Sequence, residues 1–238
     1  MQIAPQSHAW GHPPAARPAR PALFRGLTTP EMRRVRRVFT EDLYEGDEAV
    51  PRDPARAPFV GLLLDGCLRE DATSPDGERL FALTFPGETL SPLGPRRCRG
   101  RLSAIGAVRL LTCDRDGFER IAQAVPRLRL NLLGLVQEQL AEAHRWQVLL
   151  GRKNASERVA SMLHWFHARQ GAPAELHLPV NRTELGQMAG LTMETVSRQV
   201  RAFEKAGVID LPLPSRVRVI DPGALQTLSG DARTQRLH

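Results

Sequence analysis

Four polar side chains recur at helical spacing in the segment TMETVSRQVRAF, which spans residues 192–203. Glu194, Ser197, Arg198 and Arg201 stand at i, i+3, i+4 and i+7, so a helix would place them on one face. On such a face an arginine can donate two hydrogen bonds to guanine O6 and N7, a carboxylate can accept from the cytosine amino group, and a serine can contact either kind of base edge. We therefore predict that Glu194, Ser197 and Arg198 contact bases in the major groove. The alternative is a solvated face that gains about 0.2–0.5 kcal/mol from a Glu–Arg pair at i, i+4.

The apolar residues of this segment lie on another face and predict how the helix is held. Val196, Val200 and Phe203 follow one another at i, i+4 and i+7. Upstream, RTELGQMAGL predicts a first short helix that ends at Gly190, where a left-handed residue costs little, and Thr192 is a suitable N-cap for the second helix. Two short helices joined by a tight glycine turn form a helix-turn-helix. The residues that we expect to contact phosphates and fix the register are Arg182, Thr183, Thr192, Arg201 and Lys205.

The segment that follows, GVIDLPLPSRVRVID, predicts a β-hairpin. Two short apolar strands, VIDL and RVRVID, flank a turn over Pro212 to Pro214. A third short strand is predicted in ELHLPVN, before the first helix. A hairpin beside a helix-turn-helix is a wing, so the C-terminal part of the chain is predicted to be a winged helix-turn-helix.

A run without internal proline, from Pro126 to about Leu150, predicts a long helix. One series of its residues alternates at spacings of three and four, which is the pattern of a seam between two paired helices. The members of this predicted dimer seam are Leu133, Val136, Leu140, Ala143, Gln147 and Leu150. We expect a homodimer; the alternative is a single amphipathic helix packed on its own domain. Gly151 and Arg152 predict a hinge, and Asn154 is a suitable cap for the next helix.

The N-terminal half has a different sequence pattern, in which turn residues interrupt short apolar runs from about Leu23 to Asp116. The runs FVGLLLDGCLRE, RLFALTF and VRLLTC predict strands, and this spacing favours a sandwich or barrel-like β domain. Turns are predicted at Gly46-Asp47, Asp65-Gly66, Asp76-Gly77 and Pro86-Gly87. Before the strands, LFRGLTTPEMRRVRRV predicts a short helix capped by a threonine.

Composition limits the class of protein. Lysine and arginine number 33 against 26 aspartate and glutamate, for a net charge of +7, which favours a polyanionic partner such as nucleic acid. No apolar run is long enough to span a membrane and the N-terminus does not resemble a secretory signal, so we expect a cytoplasmic protein without a membrane partner. The motifs G-x-S-x-G, P-loop, HExxH and G-x-G-x-x-G do not occur, and we do not expect an enzyme. No metal site is expected either, because His164 and His167 have no third ligand nearby.

With these elements in place, the chain resembles the CRP/FNR family of bacterial transcription regulators over roughly residues 23–230. The resemblance is carried by LLGRKNASERVASML, by ELGQMAGLTMETVSRQVRAFEKAGVI and, more weakly, by FPGETLSPLG. It implies an α+β fold with an N-terminal cyclic-nucleotide-binding-like β-roll, a long dimerisation helix and a C-terminal winged helix-turn-helix. We accordingly expect a tail over 1–22, the β-roll over 23–125, the dimerisation helix and hinge over 126–151 and the DNA-binding domain over 152–238.

The recognition segment resembles the FNR/FixK-like branch. That branch carries E-x-x-S-R, matched here by Glu194, Ser197 and Arg198, whereas the CRP branch differs at the positions of Met193 and Ser197. The resemblance implies binding to double-stranded DNA at an inverted repeat, TTGAT-N4-ATCAA. It also implies a role that is more often activation than repression, with RNA polymerase as a further partner.

The resemblance raises three cofactor questions. FNR holds a [4Fe–4S] cluster through N-terminal cysteines, but the cysteines here are Cys67, Cys98 and Cys113, too few for four thiolates, so a cluster is not expected. The region after Gly87 and Glu88 lacks the Arg-Ser pair that grips cyclic AMP, so cyclic AMP is not expected; a basic loop with Arg96, Arg97 and Arg99 stands there. We predict no cofactor. The alternatives are a haem- or small-ligand-sensing regulator of the same fold, with His8, His12 or His144 as haem ligands, and an interaction module that does not bind DNA.

Overall fold

The computed structural model describes residues 21–51, 60–74, 77–90 and 101–230. The chain divides into two compact units, Met1–Gln139 and Leu140–His238, and each is described by itself. In the first unit a short 3-10 turn, Ala22–Phe24, precedes α1 (Thr29–Arg36), β1 (Thr40–Tyr44), β2 (Val60–Ser74), β3 (Gly77–Thr84), β4 (Thr89–Leu90), β5 (Leu102–Cys113) and α2 (Arg115–Ala124). Helix α3 (Arg127–Arg152) begins in the first unit and ends in the second.

The strands of the first unit form an antiparallel sheet in the order β1-β5-β2-β3, and β4 pairs with β2. One face of the sheet packs against the helices through a core that includes Leu62, Phe118 and Leu128. A second cluster, around Leu68 and Leu110, fills the interior of the β region. The sheet and its helical cover make the unit an α+β structure with the β-roll architecture that the sequence predicted.

Local residues explain where the helices of this unit begin. Thr28 caps α1, as predicted, in a capping box with Glu31, and Pro30 lies in the first turn. Helix α2 and strand β1 were not predicted. Asp114 caps α2 by accepting a hydrogen bond from the Gly117 N–H, a signal that was present in the sequence.

The predicted turn at Asp65-Gly66 is wrong, because both residues lie inside β2. The pairing of β2 with β5 shifts register on both sides of Asp65, so this segment is a bulge rather than a reversal. Gly66 has a φ of 85°, and a Cβ there would lie 2.3 Å from the Ala107 carbonyl oxygen. A left-handed conformation and close backbone contact both require glycine, which explains why the sequence looked like a turn. The turns at Gly46-Asp47 and Pro86-Gly87 are present; Asp76 lies outside the described residues.

Over residues 140–230, the second unit contains the C-terminal half of α3 and seven further elements. These are α4 (Ala155–Arg169), β6 (Glu175–His177), α5 (Arg182–Ala189), α6 (Met193–Lys205), β7 (Ile209–Leu213), β8 (Arg216–Val219) and α7 (Pro222–Leu228). The strands form an antiparallel sheet in the order β6-β8-β7. Helix α4 forms the centre of this unit, with Val159, Met162, Leu163 and Phe166 fully buried.

Two predicted boundaries in this unit shift. Helix α3 continues through Gly151 and Arg152, and the break from α3 to α4 falls at Lys153 and Asn154. Asn154 then caps α4 in a capping box with Glu157, as predicted.

The hairpin turn is also shorter than predicted. Strand β7 includes Pro212 and Leu213, and only Pro214 and Ser215 form the turn. A register shift between Asp210 and Leu213 leaves Pro212 outside the regular ladder, where its missing N–H costs nothing.

Candidate nucleic-acid interface

Helices α5 and α6 meet at a tight turn whose geometry depends on two glycines. Asn181 caps α5 in a capping box with Glu184, and α5 ends at Gly190, whose φ of 63° is left-handed. The Leu191 N–H donates to the Gly186 carbonyl at 2.8 Å, which closes the turn. A Cβ on Gly186 would lie 2.7 Å from the Leu191 carbonyl oxygen, so only glycine permits this approach. The predicted helix-turn-helix is therefore present, with Gly190 at its predicted place.

One face of α6 holds it in the unit. Val196, Val200 and Phe203 are buried, with at most 4% of any of them exposed. Burying three such side chains contributes roughly 1.5–3 kcal/mol each, far more than a surface ion pair. Thr192 caps the helix by accepting a hydrogen bond from the Thr195 N–H at 3.2 Å. The apolar face and the cap were both predicted. Together they fix the orientation of α6, so that its polar face is exposed to solvent.

The outward face carries the predicted base-contacting residues. Glu194, Arg198 and Arg201 are exposed, and Ser197 is half-buried beside them. Within the part of the chain that the structure describes, Arg198 and Arg201 make no ion pair or side-chain hydrogen bond, so their guanidinium donors are open to solvent. Hydrogen bonds from the Glu194 backbone N–H and with the Thr192 hydroxyl hold the pKa of Glu194 below its ordinary value. Its carboxylate is thus an acceptor at neutral pH.

The predicted phosphate-contacting residues differ in how freely they reach solvent. Thr183, Thr192, Arg201 and Lys205 are exposed, and Lys205 lies in the last turn of α6. Arg182 is half-buried, and its Nη1 is enclosed without a hydrogen-bond acceptor. Burial lowers the pKa of Arg182, while the Glu204 carboxylate acts in the opposite direction. A phosphate contact from Arg182 would need its other N–H groups or a change of rotamer.

The wing, β7 and β8, has an exposed apolar residue near its turn and arginines paired with carboxylates of the same sheet. Leu213, just before the turn, is 50% exposed. Arg218 pairs with Asp210 at 3.0 Å across the hairpin, and Arg216 pairs with Glu175 of β6 at 2.9 Å. These arginines are therefore engaged within the sheet, in contrast to those of α6.

The predicted dimer seam lies on the surface of the single chain. Five of its six members are exposed, namely Leu133, Leu140, Ala143, Gln147 and Leu150, and Val136 is half-buried. Leu133 is 56% exposed and Leu140 is 57% exposed, although leucines are usually covered. Leu130, which is not part of the predicted seam, is 63% exposed and lies one turn before Leu133. The burial of Leu132 and Leu135 against the first unit's core shows that α3 has two apolar sides.

Gly87 and Glu88, at the position considered for cyclic-nucleotide binding, form a turn that is closed by a hydrogen bond within the β-roll. The Glu88 carboxylate accepts from the Phe85 N–H at 2.9 Å and so stabilises its own turn, in which Gly87 has a φ of 90°. Arg96, Arg97 and Arg99 lie outside the described residues.

The described thiols do not suit a metal cluster. Cys67 is fully buried, and burial raises the pKa of its thiol. Burial, with a smaller effect from Asp114, raises the pKa of Cys113 to about 11. Both groups are therefore protonated at neutral pH, whereas cluster ligands are thiolates. Cys98 lies outside the described ranges.

The histidines considered as haem or metal ligands do not form a cluster in the described residues. His144 is exposed on α3, and His8 and His12 lie outside the described residues. On α4, the His167 ring nitrogen Nε2 contacts the Pro173 carbonyl at 3.1 Å. Within the described ranges, no three His, Cys, Asp or Glu side chains group as metal ligands would. None of the described helices has the length and apolar character needed to cross a membrane.

Comparisons with known proteins fit this geometry. The Crp-like helix-turn-helix domain family matches residues 157–228, which include both helices and the wing. The nitrogen fixation regulation protein FixK of Azorhizobium caulinodans is 31% identical over 95% of each chain. The transcriptional activator protein FnrL of Cereibacter sphaeroides is 31% identical over 79% of each chain.

Solved structures extend the likeness to the fold. FixK2 from Bradyrhizobium japonicum is 27% identical, covers 80% of this chain and 97% of its own, and superposes with a TM-score of 0.69. These relatives are regulators of transcription rather than enzymes. The winged helix-turn-helix, the β-roll and these matches together show that the chain is a DNA-binding transcription regulator that belongs to the CRP/FNR family and is similar to FixK.

Proposed function

We propose that the protein is a dimeric activator that binds an inverted repeat of the form TTGAT-N4-ATCAA. The observation that carries this proposal is the outward face of α6, where Glu194 and Arg198 are exposed while Val196 and Val200 anchor the opposite side. An anchored helix that turns exposed polar side chains outward is the arrangement that major-groove recognition requires.

Each side chain on this face has a distinct role in the proposal. Arg198 donates two hydrogen bonds to O6 and N7 of the half-site guanine, and Glu194 accepts from a cytosine amino group. Ser197, between them on the helix, contacts a base edge or a thymine methyl group. One bidentate pair contributes about 1–3 kcal/mol of discrimination between bases.

Contacts to phosphates hold the helix in register. We assign them to Thr183, Thr192, Arg201 and Lys205, which are exposed around α5 and α6, and to Arg182 after a side-chain rearrangement. The positive helix N-termini at Arg182 and Met193 support the same contacts. Because these contacts do not depend on sequence, their loss would weaken binding to all DNA equally.

The dimer in the proposal forms along α3. The seam of Leu133, Val136, Leu140, Ala143, Gln147 and Leu150 supports it, because this row is exposed in the single chain and follows the heptad spacing. A two-fold axis along α3 would present two copies of α6 to half-sites about one helical turn apart, which an inverted repeat provides.

Two further parts of the proposal concern activation and regulation. FnrL is a transcriptional activator, which supports activation through contact with RNA polymerase. The protonated, buried thiols of Cys67 and Cys113 support regulation without a resident iron–sulfur cluster.

The test is a comparison of Arg198→Ala with Lys205→Ala on the inverted repeat and on a repeat with both guanines replaced by adenine. Wild type should bind the first duplex much more tightly, with an affinity that falls steeply as salt rises. Arg198→Ala should lose most of this preference and keep only the part that the Glu194 contact to the paired cytosine supplies. Lys205→Ala should bind both more weakly but keep the preference. An Arg198→Ala variant that discriminates as well as wild type would contradict the assigned role.

A further inference from the structure

Glu142, on the side of α3 away from the predicted seam, joins that helix to α4. Its Oε1 accepts a hydrogen bond from the Trp165 indole N–H at 2.6 Å. Its Oε2 accepts from the Arg145 Nε–H at 2.9 Å and lies 3.3 Å from the Arg169 Nη2. Only 18% of the Glu142 side chain is exposed, so its carboxylate is largely shielded from water. It contacts three donor groups, one on α3 and two on α4.

Aromatic packing surrounds this carboxylate. The Trp165 ring packs edge-on against Trp146 of α3, with centroids 5.8 Å apart, and the Arg169 guanidinium carbon lies 5.1 Å from the centroid of the Trp165 ring. Burial lowers the pKa of Arg169, which indicates a guanidinium removed from water beside Glu142. We refer to Glu142, Arg145, Trp146, Trp165 and Arg169 as the Glu142 clamp.

A second attachment lies two helical turns away on α4. The Arg158 guanidinium donates to the carbonyls of Leu150, Lys153 and Ala189, at 2.7, 2.8 and 3.2 Å. It therefore links the end of α3 and the following loop to the turn of the helix-turn-helix. Seven residues of helix separate Arg158 from Trp165, or about 10 Å.

The Arg158 hydrogen bonds and the Glu142 clamp together restrict a rotation of α4 relative to the end of α3 that either contact alone would allow. With Arg158 alone, the α4–α6 module could pivot about the end of α3. The Glu142 clamp, at the other end of α4, removes that freedom. The C-terminal half of α3 is therefore attached to α4 at two points that lie two helical turns apart along α4.

We propose that Glu142 is a positioning residue that sets the half-site spacing which the dimer accepts. This inference rests on the proposed function, since spacing is defined only when two copies of α6 meet one duplex. If α3 pairs two subunits, any tilt of the module on α3 changes the separation of the two recognition helices. Each added base pair moves a half-site by about 3.4 Å and turns it by roughly 35°, so a rigid module tolerates few spacers.

The experiment measures binding to inverted repeats whose central spacer runs from two base pairs shorter to two base pairs longer than N4. Wild type should prefer N4 over its neighbours by about tenfold or more. Glu142→Gln removes the charge that holds Arg145 and Arg169, so its preference should fall to within about threefold. Its discrimination between guanine and adenine in the half-site should not change, because α6 is intact. Glu138→Gln is the matched control, an exposed glutamate one turn earlier on the same helix, and should keep the wild-type spacing preference.

A second variant keeps the test decisive if Glu142→Gln folds poorly. Trp165→Phe keeps an aromatic ring but loses the indole N–H donor, and it should flatten the spacing preference in the same way. Thermal unfolding and circular dichroism identify any variant that is not folded. If folded Glu142→Gln and Trp165→Phe both retain the wild-type preference for N4, the positioning role is wrong while the proposed function stands. If wild type itself does not distinguish the repeat from a scrambled duplex, the proposed function fails first.

Discussion

Charged side chains on the β-roll sheet have internal partners, whereas the arginines on helix α6 have none among the described residues of the second unit. On the β-roll sheet, charges are paired internally: Arg69 with Asp71, and Arg109 with Glu41 at 2.8 Å. On α6 of the second unit, Arg198 and Arg201 are exposed and have no such partner within the described residues. An arginine without an internal partner keeps five N–H donors for a ligand. The contrast supports our proposal that α6, rather than the sheet, carries the DNA-binding residues.

The largest expected effect is on stability, and it distinguishes a buried phenylalanine in the second unit from an exposed one in the first. Phe166 is fully buried at the centre of the second unit, whereas Phe81 on β3 is 60% exposed. Phe166→Ala should lower the free energy of unfolding by about 3–5 kcal/mol, because it leaves a cavity. Phe81→Ala should change it by no more than about 0.5 kcal/mol. Urea denaturation checks both, and similar losses for the two variants would contradict the assignment of the core.

The next largest expected effect is on dimer formation, through the exposed leucines of α3. Leu140→Glu places a charge in the proposed seam, so it should convert the dimer to a monomer and weaken binding to the inverted repeat on the order of 100-fold. Ala141→Glu, at the neighbouring exposed position outside the heptad row, should leave both properties near wild type. Sedimentation equilibrium and a binding titration measure these outcomes. A dimeric Leu140→Glu protein would place the interface elsewhere.

Two helical glycines should respond to alanine with opposite signs. Beyond its own helix backbone, a Cβ added at Gly134 of α3 would meet no atom of the described residues within 4 Å, so alanine should stabilise the helix by about 1 kcal/mol. Gly186 on α5 would place its Cβ 2.7 Å from the Leu191 carbonyl oxygen. Overpacking there costs about 1–3 kcal/mol and should outweigh the helical gain. Chemical denaturation of both variants decides this, and a stabilised Gly186→Ala protein would show that the turn is looser than described.

The smallest expected effect is a dependence of stability on pH in the second unit. Burial lowers the pKa of His167 and His177 in the folded state. Just below the ordinary histidine pKa of about 6.5, the unfolded chain therefore binds more protons than the folded chain. Stability from these groups is complete above that pH and declines as the pH falls through the window below it.

His167→Gln tests this dependence. Its unfolding should depend less on pH below about 6.5 than that of wild type, because one of the two depressed groups is gone. Trp146 and Trp165 provide the fluorescence that reports on this unit. An unchanged pH dependence would show that His167 does not contribute.

The features that the sequence predicted best are those fixed by neighbouring residues. The caps at Thr28, Asn154 and Thr192, the left-handed Gly190 and the two faces of α6 all follow from contacts within a few positions of each other. Helix spacing and capping chemistry act locally, so a single sequence is enough to find them.

The features that were missed depend on contacts between distant residues. Strand β1 pairs with β5, where Thr40 lies opposite Thr112, and neither strand alone indicates this partner. Asp65-Gly66 had the composition of a turn, but the Ala107 carbonyl that requires glycine lies some forty residues away. The link from Glu142 to Trp165 was missed for the same reason, because it forms only after α3 and α4 have packed.

The central claim is that the outward face of α6 recognises base edges, and a change on the DNA tests it most directly. Replacing the half-site guanines with 7-deazaguanine removes N7, one acceptor of the proposed Arg198 contact, while the minor groove and phosphates stay the same. Wild type should lose affinity for the modified duplex by roughly 2- to 12-fold per half-site, about half of the 1–3 kcal/mol of a bidentate pair, because O6 remains. Arg198→Ala should bind the modified and unmodified duplexes equally. Equal losses for wild type and Arg198→Ala would contradict the account.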